Sequence, residues 1–530
     1  PLSDTVAIRL SASHRERDGF TLNVPTGTDL DNINRDTLRA RLRAEIGPDV
    51  TLDLAGDYSH DRTNKAIGEP ISDTFGTGPT PLPGAFDTPF NVDPLQDIRT
   101  AGASATLAWR LSDAFTLTSI SAWRSTNWRR TNDLDYVPLD FARMNYRDRF
   151  RQFSQEVRLN FTSERLTGTA GLYYFDERAQ TDRKVFAGND IVFLPFGLPA
   201  GLTAQVQANV KTRSYAAFAN ADWKLTDALT LNLGGRFTHD RLRLGDYSTR
   251  GPLVFGLGTV GNFDDRQSAD SFDPSIALTY AVAPRTNLYA RYARGYKSGG
   301  WNVDFISAAE FADRLRFRPE RVDSGEIGLK HQGRDLRVSL AAFYMTIGDY
   351  QIDQFVDLGA GQTSIQLRNA ARARSWGAEA QLDATPIERL NISTGLGYTN
   401  AEFTRFKDGG GPGVDLDGNR LPYAPRLTAS AELRYAIPLS FGPTLNLSTD
   451  WTYRSKSFSG PENLARQAID ARHLVGVRAE LDGGHWRLAG WVRNLFDTGY
   501  IDNRIFDFFQ TAVVERGEPR TYGITGTLSF

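Results

Sequence analysis

Residues able to perform acid–base or metal chemistry are few in this sequence and do not form a catalytic pattern. Six histidines are spread over 530 residues, with no HExxH motif and no pair at metal-ligand spacing. These histidines are His14, His60, His239, His331, His473 and His485. Cysteine is absent, which excludes disulfides, zinc–thiolate sites and a thiol nucleophile. We therefore expect no enzyme activity, no cofactor and no catalytic metal.

One acidic segment resembles the beginning of a calcium-binding loop. Asp415, Asp417 and Asn419 alternate along the chain, with Gly418 between the last two. A calcium loop of this type requires a bidentate glutamate at its twelfth position, and that position is Arg426 here. The sequence favours a polar external loop, with calcium binding as the alternative.

The segment 296–302 is the best candidate for contact with a small ligand. Tyr296 and Trp301 offer ring surfaces and Asn302 offers an amide, at the start of a predicted loop over 297–319. Rings combined with a few placed polar groups are typical of ligand sites. The sequence nevertheless favours a structural role for this loop, with ligand contact as the hypothesis to test.

Regular alternation of apolar and polar residues organises the chain around these segments. In the last ten residues, Tyr522, Ile524, Leu528 and Phe530 fall on one face, while threonine and serine occupy the other. The same pattern occurs at 229–234 and 426–435. A period of two predicts β-strands with one apolar face. In a membrane barrel that face contacts lipid and the polar face lines the bore, whereas a soluble sandwich buries it.

Connection lengths decide between the barrel and the sandwich. Short links, such as 111–114, 162–165 and 225–228, alternate with long ones along the whole chain. The long links include 62–98, 181–208, 242–267 and 353–363. Tight periplasmic turns and extended external loops are typical of an outer-membrane barrel. No run of 18 apolar residues suggests a membrane helix.

The sequence predicts an all-β fold, a transmembrane antiparallel up-and-down β-barrel with 20 strands present. The predicted strands include 147–161, 164–178, 209–224, 228–241 and 268–282. The first strand is followed by a long loop and the last is preceded by one, so both chain ends lie on the periplasmic side. Aromatic residues near strand ends, such as Trp123 and Tyr453, fit the rings of a membrane boundary.

Several segments resemble the TonB-dependent receptor family, in the order that the family shows. They are "YARYARGYKSGGWN" from Tyr289, "FRPERVDSGEIGL" from Phe317, "LRNAARARSWGAEAQL" from Leu367, "LPYAPRLTASAEL" from Leu421 and "GEPRTYGITGTLSF" from Gly517. Asn494, Leu495, Phe496, Asp497 and Tyr500 form a further motif, for which we expect an architectural role. The resemblance implies a 22-stranded barrel filled by an N-terminal plug. We therefore expect that residues 1–530 form one barrel domain and that the plug and two strands precede Pro1.

The resemblance also implies a function, a location and partners. It implies uptake of a scarce nutrient across the outer membrane of a Gram-negative bacterium, energised by the TonB complex through the plug. A ferric siderophore is the family's commonest cargo, and oligosaccharides or other organic nutrients are alternatives. We expect a monomer that contacts outer-membrane lipid. Tyr522, Ile524, Leu528 and Phe530 resemble the signal that the barrel-assembly machinery recognises.

Two other classes of protein remain as rivals. A passive porin-type channel needs no plug and a bore that is open at rest. A barrel-shaped adhesin or enzyme is the second rival, and an enzyme would need inward-facing nucleophile and base partners that the sequence does not offer. Lysine and arginine nearly balance aspartate and glutamate, 61 against 63, and are spread along the chain. Nucleic acid is therefore excluded as a partner.

Overall fold

The computed structural model describes residues 2–65, 68–71, 86–193, 199–251, 259–304, 315–359, 362–411, 413–506 and 512–530. Twenty long strands form a single antiparallel sheet. In chain order these are β1 (Val6–Arg17), β2 (Ile33–Glu45), β3 (Val50–Thr63), β4 (Leu95–Arg110), β5 (Phe115–Asp133), β6 (Ala142–Thr162), β7 (Leu166–Ala187), β8 (Thr203–Lys224), β9 (Leu229–Arg250), β10 (Val260–Ala283), β11 (Thr286–Lys297), β12 (Glu320–Gln332), β13 (Leu336–Gly359), β14 (Gln362–Ile387), β15 (Leu390–Arg405), β16 (Leu427–Pro438), β17 (Thr444–Arg454), β18 (Arg472–Asp482), β19 (Trp486–Arg493) and β20 (Thr521–Leu528).

Each strand pairs with its neighbour along the chain, which is the up-and-down order of a membrane barrel. Within the described residues, no ladder joins β1 to β20. These two strands approach each other at their external ends, where the Arg17 guanidinium lies 2.9 Å from the Glu518 carboxylate.

Short elements occupy the external connections. Paired short strands are Thr21–Asn23 with Thr28–Leu30 and Asp87–Thr88, Gly300–Trp301 with Arg316–Phe317, Ser457–Phe458 with Ala468–Ile469, and Ile501–Phe506 with Ala512–Arg516 and Glu69–Pro70. In the part of the chain that the structure describes, short 3₁₀ helices cover Asn189–Phe193 and Ala465–Gln467. In the described part of the chain, no helix is long and apolar enough to span a bilayer.

The outer face of the sheet is apolar over a band of constant height. On β6 this band runs from Phe153 to Phe161, and on neighbouring strands it includes Leu172, Leu233 and Phe272, each exposed by 47% or more. Eight residues of a strand tilted by about 40° rise about 20 Å, close to the hydrocarbon thickness that such barrels match. These large, exposed apolar residues therefore form the lipid-facing surface.

The predicted strand count of 20 is confirmed, and most predicted boundaries agree within a few residues. The main differences are on the external side, where β7 continues to Ala187, β8 begins at Thr203 and β9 continues to Arg250. The predicted long loop over 353–363 is wrong, because β13 and β14 remain paired as far as Gly359 and Gln362. Strands β6–β10 therefore form a tall wall of 21 to 24 residues each, whereas β18–β20 have only 8 to 11.

Candidate ligand-binding mouth of the barrel

The inner side of the tall wall carries an apolar cluster beyond the membrane. Residues that face inward near the external ends of β6–β9 include Met144, Val185, Val206 and Leu244, all buried. External loops fill the space against them, contributing Phe141, Ile191, Trp301 and Leu315 to the same cluster. The loops are therefore anchored to the wall by burial of apolar surface, the dominant stabilising term in folding. We refer to the region beyond the lipid-facing band as the external mouth.

Trp301 is one of the anchors of this cluster. Its side chain is only 5% exposed, and its indole Nε1 donates a hydrogen bond to Asp265 Oδ2 at 2.8 Å. Arg316 also bonds to the Asp265 carboxylate. The short strand pair Gly300–Trp301 and Arg316–Phe317 thereby fixes the root of its loop against β10. The loop tip, residues 305–314, lies outside the described residues.

The other two predicted ligand residues are also tied to the protein. The Tyr296 hydroxyl lies 3.1 Å from Asp240 Oδ2, and Asn302 is 4% exposed. The backbone N–H of Asn302 donates to the Leu315 carbonyl at 2.6 Å. The structure thus brings Tyr296, Trp301 and Asn302 to one side of the mouth, and direct contact with a ligand stays a prediction. The burial of Trp301 and Asn302 favours the structural alternative.

A charged network that the sequence analysis did not single out lies beside them. Arg183 forms an ion pair with Asp304, and its guanidinium lies over the Tyr146 ring at 5.4 Å from the centroid. Arg130 approaches the same ring at 5.8 Å. Burial is the largest cause that raises the pKa of Tyr146, to about 12. Only the tertiary fold brings these positions together, so no local motif could have revealed them.

A pair of buried carboxyls holds the short connection between β5 and β6. Asp133 accepts hydrogen bonds from the backbone N–H groups of Asp135, Tyr136 and Asn91. Asp135 accepts from the N–H groups of Val137 and Ala142. Burial raises the pKa of Asp133 to about 7, and burial together with the charge of Asp133 raises the pKa of Asp135. The turn is therefore built around acidic groups that resist ionisation.

The predicted calcium-like segment is neutralised from within the protein. Lys407 Nζ bonds to the Asp415 carboxylate and lies 2.8 Å from Asp417 Oδ2. Those hydrogen bonds are the largest causes that lower the pKa of both carboxyls and raise the pKa of Lys407. The nearby residues Phe403, Phe406, Leu416 and Leu421 form a second apolar cluster. Within the described ranges, no three His, Cys, Asp or Glu side chains are grouped so as to hold a metal ion.

The family-like motif after β19 forms a tight turn. Asn494 has a positive φ of 48°, and its side chain bonds to the backbone of Thr498 and Glu518. Asp497 Oδ1 accepts from the N–H of Arg520 at 2.9 Å, and the backbone N–H of Leu495 donates to the Val475 carbonyl at 2.8 Å. Phe496, at 72% exposure, remains on the surface. These contacts connect the turn to both neighbouring strands, and its architectural role stays a prediction.

The Tyr500 ring of this motif is covered on one face by Arg472, 4.5 Å from the ring centroid. Gly517 lies so close to Tyr500 that a Cβ added at position 517 would lie 1.8 Å from the Tyr500 ring. A glycine is therefore required there by close approach.

Loops from the two ends of the chain meet above the position where β1 and β20 face each other. Arg516 Nε donates its single N–H to both carboxylate oxygens of Glu69, at 2.8 and 2.9 Å, and the strand pair Glu69–Pro70 with Ala512–Arg516 supports this bifurcated hydrogen bond. Lys65 lies 2.8 Å from Glu515. Below them, Leu30, Phe90, Tyr136 and Val513 form a third apolar cluster. We refer to these contacts as the external clasp.

The inner face within the membrane band is polar. Arg124 reaches Asp57 at 2.9 Å, and the Tyr289 hydroxyl donates to Glu326 at 2.6 Å. By strand register Arg291, Arg337 and Arg487 also face the bore. Tyr522, Ile524 and Leu528 lie on the lipid side of β20 and are 77% to 80% exposed, with Phe530 just beyond the strand. Their predicted role in assembly is not tested by this placement.

A comparison with protein families identifies this architecture. A family model described as "TonB dependent receptor-like, beta-barrel" matches residues 37–495. The pesticin receptor of Yersinia pestis is 24% identical over 431 residues, covering 79% of this chain and 57% of that receptor. The catecholate siderophore receptor Fiu of Escherichia coli K12 is 24% identical over 356 residues, covering 63% of this chain and 44% of Fiu. The chain spans about half the length of the curated relatives it matches.

Solved structures share the fold at lower identity. The ferric yersiniabactin uptake receptor FyuA of Yersinia pestis superposes with a TM-score of 0.84 at 19% identity, covering 100% of this chain and 76% of that structure. The siderophore receptor PiuA of Acinetobacter baumannii gives a TM-score of 0.75 at 14% identity, covering 99% of this chain and 77% of PiuA. At these identities the likeness establishes the fold.

Proposed function

The chain belongs to the family of TonB-dependent receptor β-barrels of the Gram-negative outer membrane, and from this premise we propose that it takes up a ferric siderophore. The proposed cargo is supported above all by the relatives. Those most similar in sequence include the catecholate siderophore receptor Fiu, and the similar folds include the ferric yersiniabactin receptor FyuA. In this proposal the barrel supplies the scaffold, the external mouth selects the cargo and the bore conducts it.

The external mouth is suited to an anionic metal chelate with aromatic groups. Arg130 and Arg183 flank the Tyr146 ring, and Tyr296 lies at the top of β11, bonded to Asp240 of β9. Guanidinium groups bind carboxylates and phenolates through charge-assisted hydrogen bonds, and ring faces stack on aromatic ligands. Tyr296, Trp301 and Asn302 remain proposed contacts with the ligand. Trp301 also fixes the position of its loop.

Energised uptake requires parts beyond the barrel. We propose that a plug and two further strands precede residue 1 and that the plug receives force from the TonB complex. We also propose that the protein acts as a monomer and has no catalytic activity. In this scheme the polar inner face, including Arg124 and Asp57, lines the passage that opens when the plug moves.

Growth of a deletion strain on single iron sources tests the cargo. A strain lacking this gene, together with any redundant receptor, is supplied with a panel of ferric siderophores under iron limitation. We expect loss of growth on one siderophore class and rescue by the intact gene. Unchanged growth on every iron chelate, with loss of growth on an oligosaccharide, would support the second candidate cargo.

Two smaller tests address the predicted residues. Replacing Trp301 with Ala should weaken cargo binding, and an unchanged Kd would remove the residue from the contact set.

Deleting Phe530 should reduce the amount of correctly inserted barrel, detected by its resistance to unfolding in cold detergent. A normal yield of inserted protein would count against the assembly role of the terminal strand.

A further inference from the structure

The outer face of the tall wall changes character where it leaves the membrane. On β6 the outward residues Phe161, Leu159, Val157 and Phe153 are followed, two residues apart, by Arg151, Arg149 and Arg147. Neighbouring strands add Arg129 on β5 and Arg178 and Lys184 on β7, all on the same outward set by register. We call these six side chains the outer basic patch. They project away from the bore.

The height of the patch places it among lipid headgroups. Two residues along a tilted strand rise about 5 Å, so Arg151 and Arg149 lie about 5 and 10 Å beyond Phe153. The headgroup region extends several ångströms beyond each face of the hydrocarbon core. Arg151 and Arg149 are therefore level with headgroups, and Arg147 lies immediately above them.

The guanidinium groups of the patch are available for an external anion. Among the described residues, no carboxylate lies within 4.0 Å of the charged atoms of Arg147, Arg149, Arg151 or Arg178. Asp182, the register partner of Arg147, instead accepts a hydrogen bond from Gln205 Nε2 at 2.7 Å. Positive charge is thus in excess on this face.

Outward cations on other strands include both paired and unpaired examples; Arg241 on β9 and Arg266 on β10 have no carboxylate partner among the described residues, whereas the following are paired. Arg294 lies 2.9 Å from Asp323, and Arg374 bonds to Glu402. His14 on β1 similarly lies 2.8 Å from Asp36. Single unpaired cations thus occur elsewhere on the rim, but β5–β7 carry a cluster of six on three adjacent strands.

The surface of the patch is concave. One groove of about 320 Å³ is lined by Arg147, Arg149, Gln180 and Asn209, together with the carboxylates of Asp182 and Asp246. An adjacent groove of about 350 Å³ shares Arg147 and Asp182 and adds Arg129 and Lys184. Each groove presents arginine, which binds phosphate through two parallel hydrogen bonds.

We propose that the outer basic patch binds the phosphate groups of the anionic glycolipid that forms the outer leaflet around the barrel. A transported cargo is disfavoured at this site, because the patch and the bore lie on opposite sides of the sheet. Basic side chains at headgroup level contribute about 1 kcal/mol each toward anionic lipid. The bound lipid stabilises the tall wall from outside, as the loops do from inside. This inference depends on outer-membrane location and not on the identity of the cargo.

Lipid binding to the full chain tests the proposal. The protein is purified from outer membranes, stripped of lipid, and titrated with lipopolysaccharide, with enzymatically dephosphorylated lipopolysaccharide and with inorganic phosphate. The variant R147Q/R149Q/R151Q should bind lipopolysaccharide roughly 100-fold more weakly than the wild type. The variant R147K/R149K/R151K, which keeps the charge, should retain most of the affinity. The paired-cation controls R294Q and R374Q should bind as the wild type does.

The remaining arms separate the alternatives. Weak binding of the dephosphorylated lipid by the wild type would support phosphate recognition on a lipid. Equal binding of the phosphorylated and dephosphorylated lipids would overturn the proposal, as would unchanged affinity in R147Q/R149Q/R151Q. Competition by inorganic phosphate at micromolar concentration would also overturn it, by assigning the patch to a free anion. Heat-modifiable migration of each variant confirms that it is folded.

Discussion

Outward and inward residues alternate along the whole length of the tall wall. The apolar residues face outward in the membrane-embedded part and inward in the external part. Inside the bilayer the outward residues of β6, such as Phe153 and Val157, are apolar and the inward ones are polar. Beyond it the outward residues are Arg147, Arg149 and Arg151, while the inward Met144 is buried in an apolar cluster. The strand geometry is unchanged, and only the surroundings differ. A strand thus places apolar residues toward whichever side excludes water.

This comparison separates two sources of stability. The lipid-facing band depends on transfer of side chains into hydrocarbon, whereas the external zone depends on packing against loops. In the external zone the loops substitute for lipid and occupy the inner side. Variants that distinguish the two environments therefore test the comparison directly.

The largest effect is expected from a cavity in the external cluster. Leu244 is fully buried, and Leu244→Ala should destabilise the packed loops by about 2–5 kcal/mol. Hydrogen exchange in 189–193 and 203–208 should become faster, while exchange in the membrane band stays unchanged. Arg243→Ala, on the outward side of the same strand, is the matched control with little effect. Unchanged exchange in Leu244→Ala would refute loop packing as the source of external stability.

A slightly smaller effect is expected from a charge in the lipid-facing band. Leu233 lies near the middle of the band on β9 and is 47% exposed, so Leu233→Arg should cost about 2–4 kcal/mol in a bilayer. Asn232→Arg faces the bore beside Asp222 and should be tolerated. The free energy of unfolding in lipid vesicles measures both. Equal costs for the two variants would contradict the assigned facing.

The next effect concerns the anchor of the candidate ligand loop. Trp301→Phe retains most of the packing but removes the N–H that bonds to Asp265. A hydrogen bond to a charged group contributes about 1.5–3 kcal/mol. Protease cleavage within the loop should become faster, with the exposed variant Phe496→Leu as control. Wild-type cleavage rates would show that the indole bond does not hold the loop.

The most local effect is a pH dependence confined to the turn between β5 and β6. Folding raises the pKa of Asp133 from 3.8 to about 7, so the folded turn favours the protonated form. The contribution of the protonated Asp133 carboxyl to the stability of the folded turn is complete below pH 3.8 and is lost as the pH rises through 7. Amide exchange in 134–141, corrected for its intrinsic pH dependence, should therefore increase between pH 5 and 8. The double variant Asp133→Asn/Asp135→Asn should abolish that increase, and a slope that persists in it would assign the effect to other groups.

The sequence predicts the membrane band well and the external zone poorly, for one physical reason. Within the band each strand has one predominantly apolar face, so residues such as Leu229 to Leu233 identify both the strand and its orientation. Beyond the band, cations occupy the outward set and the inward set is partly charged, as with Arg183 beside Val185. The alternation of hydropathy weakens there, and the extensions of β7, β8 and β9 are missed.

The candidate site shows the same limit. Trp301 was identifiable as a residue of interest, but its partner Asp265 is 36 residues earlier in the chain. The pairing of Arg183 with Asp304 spans 121 residues and follows only from the strand order. Arg147, Arg149 and Arg151, in contrast, recur at every second position directly after an apolar strand. That local signal could have revealed the outer basic patch.

Cysteine labelling tests the reversal of facing most directly, because residues 1–530 contain no cysteine. Phe153→Cys, Arg149→Cys and Met144→Cys are inserted separately and treated, in intact membranes, with a water-soluble and a lipid-soluble maleimide. We predict that Cys replacing Arg149 reacts with the water-soluble reagent, that Cys replacing Phe153 reacts only with the lipid-soluble one, and that Cys replacing Met144 is protected from both. Water-soluble labelling at position 144 with protection at position 149 would contradict the account.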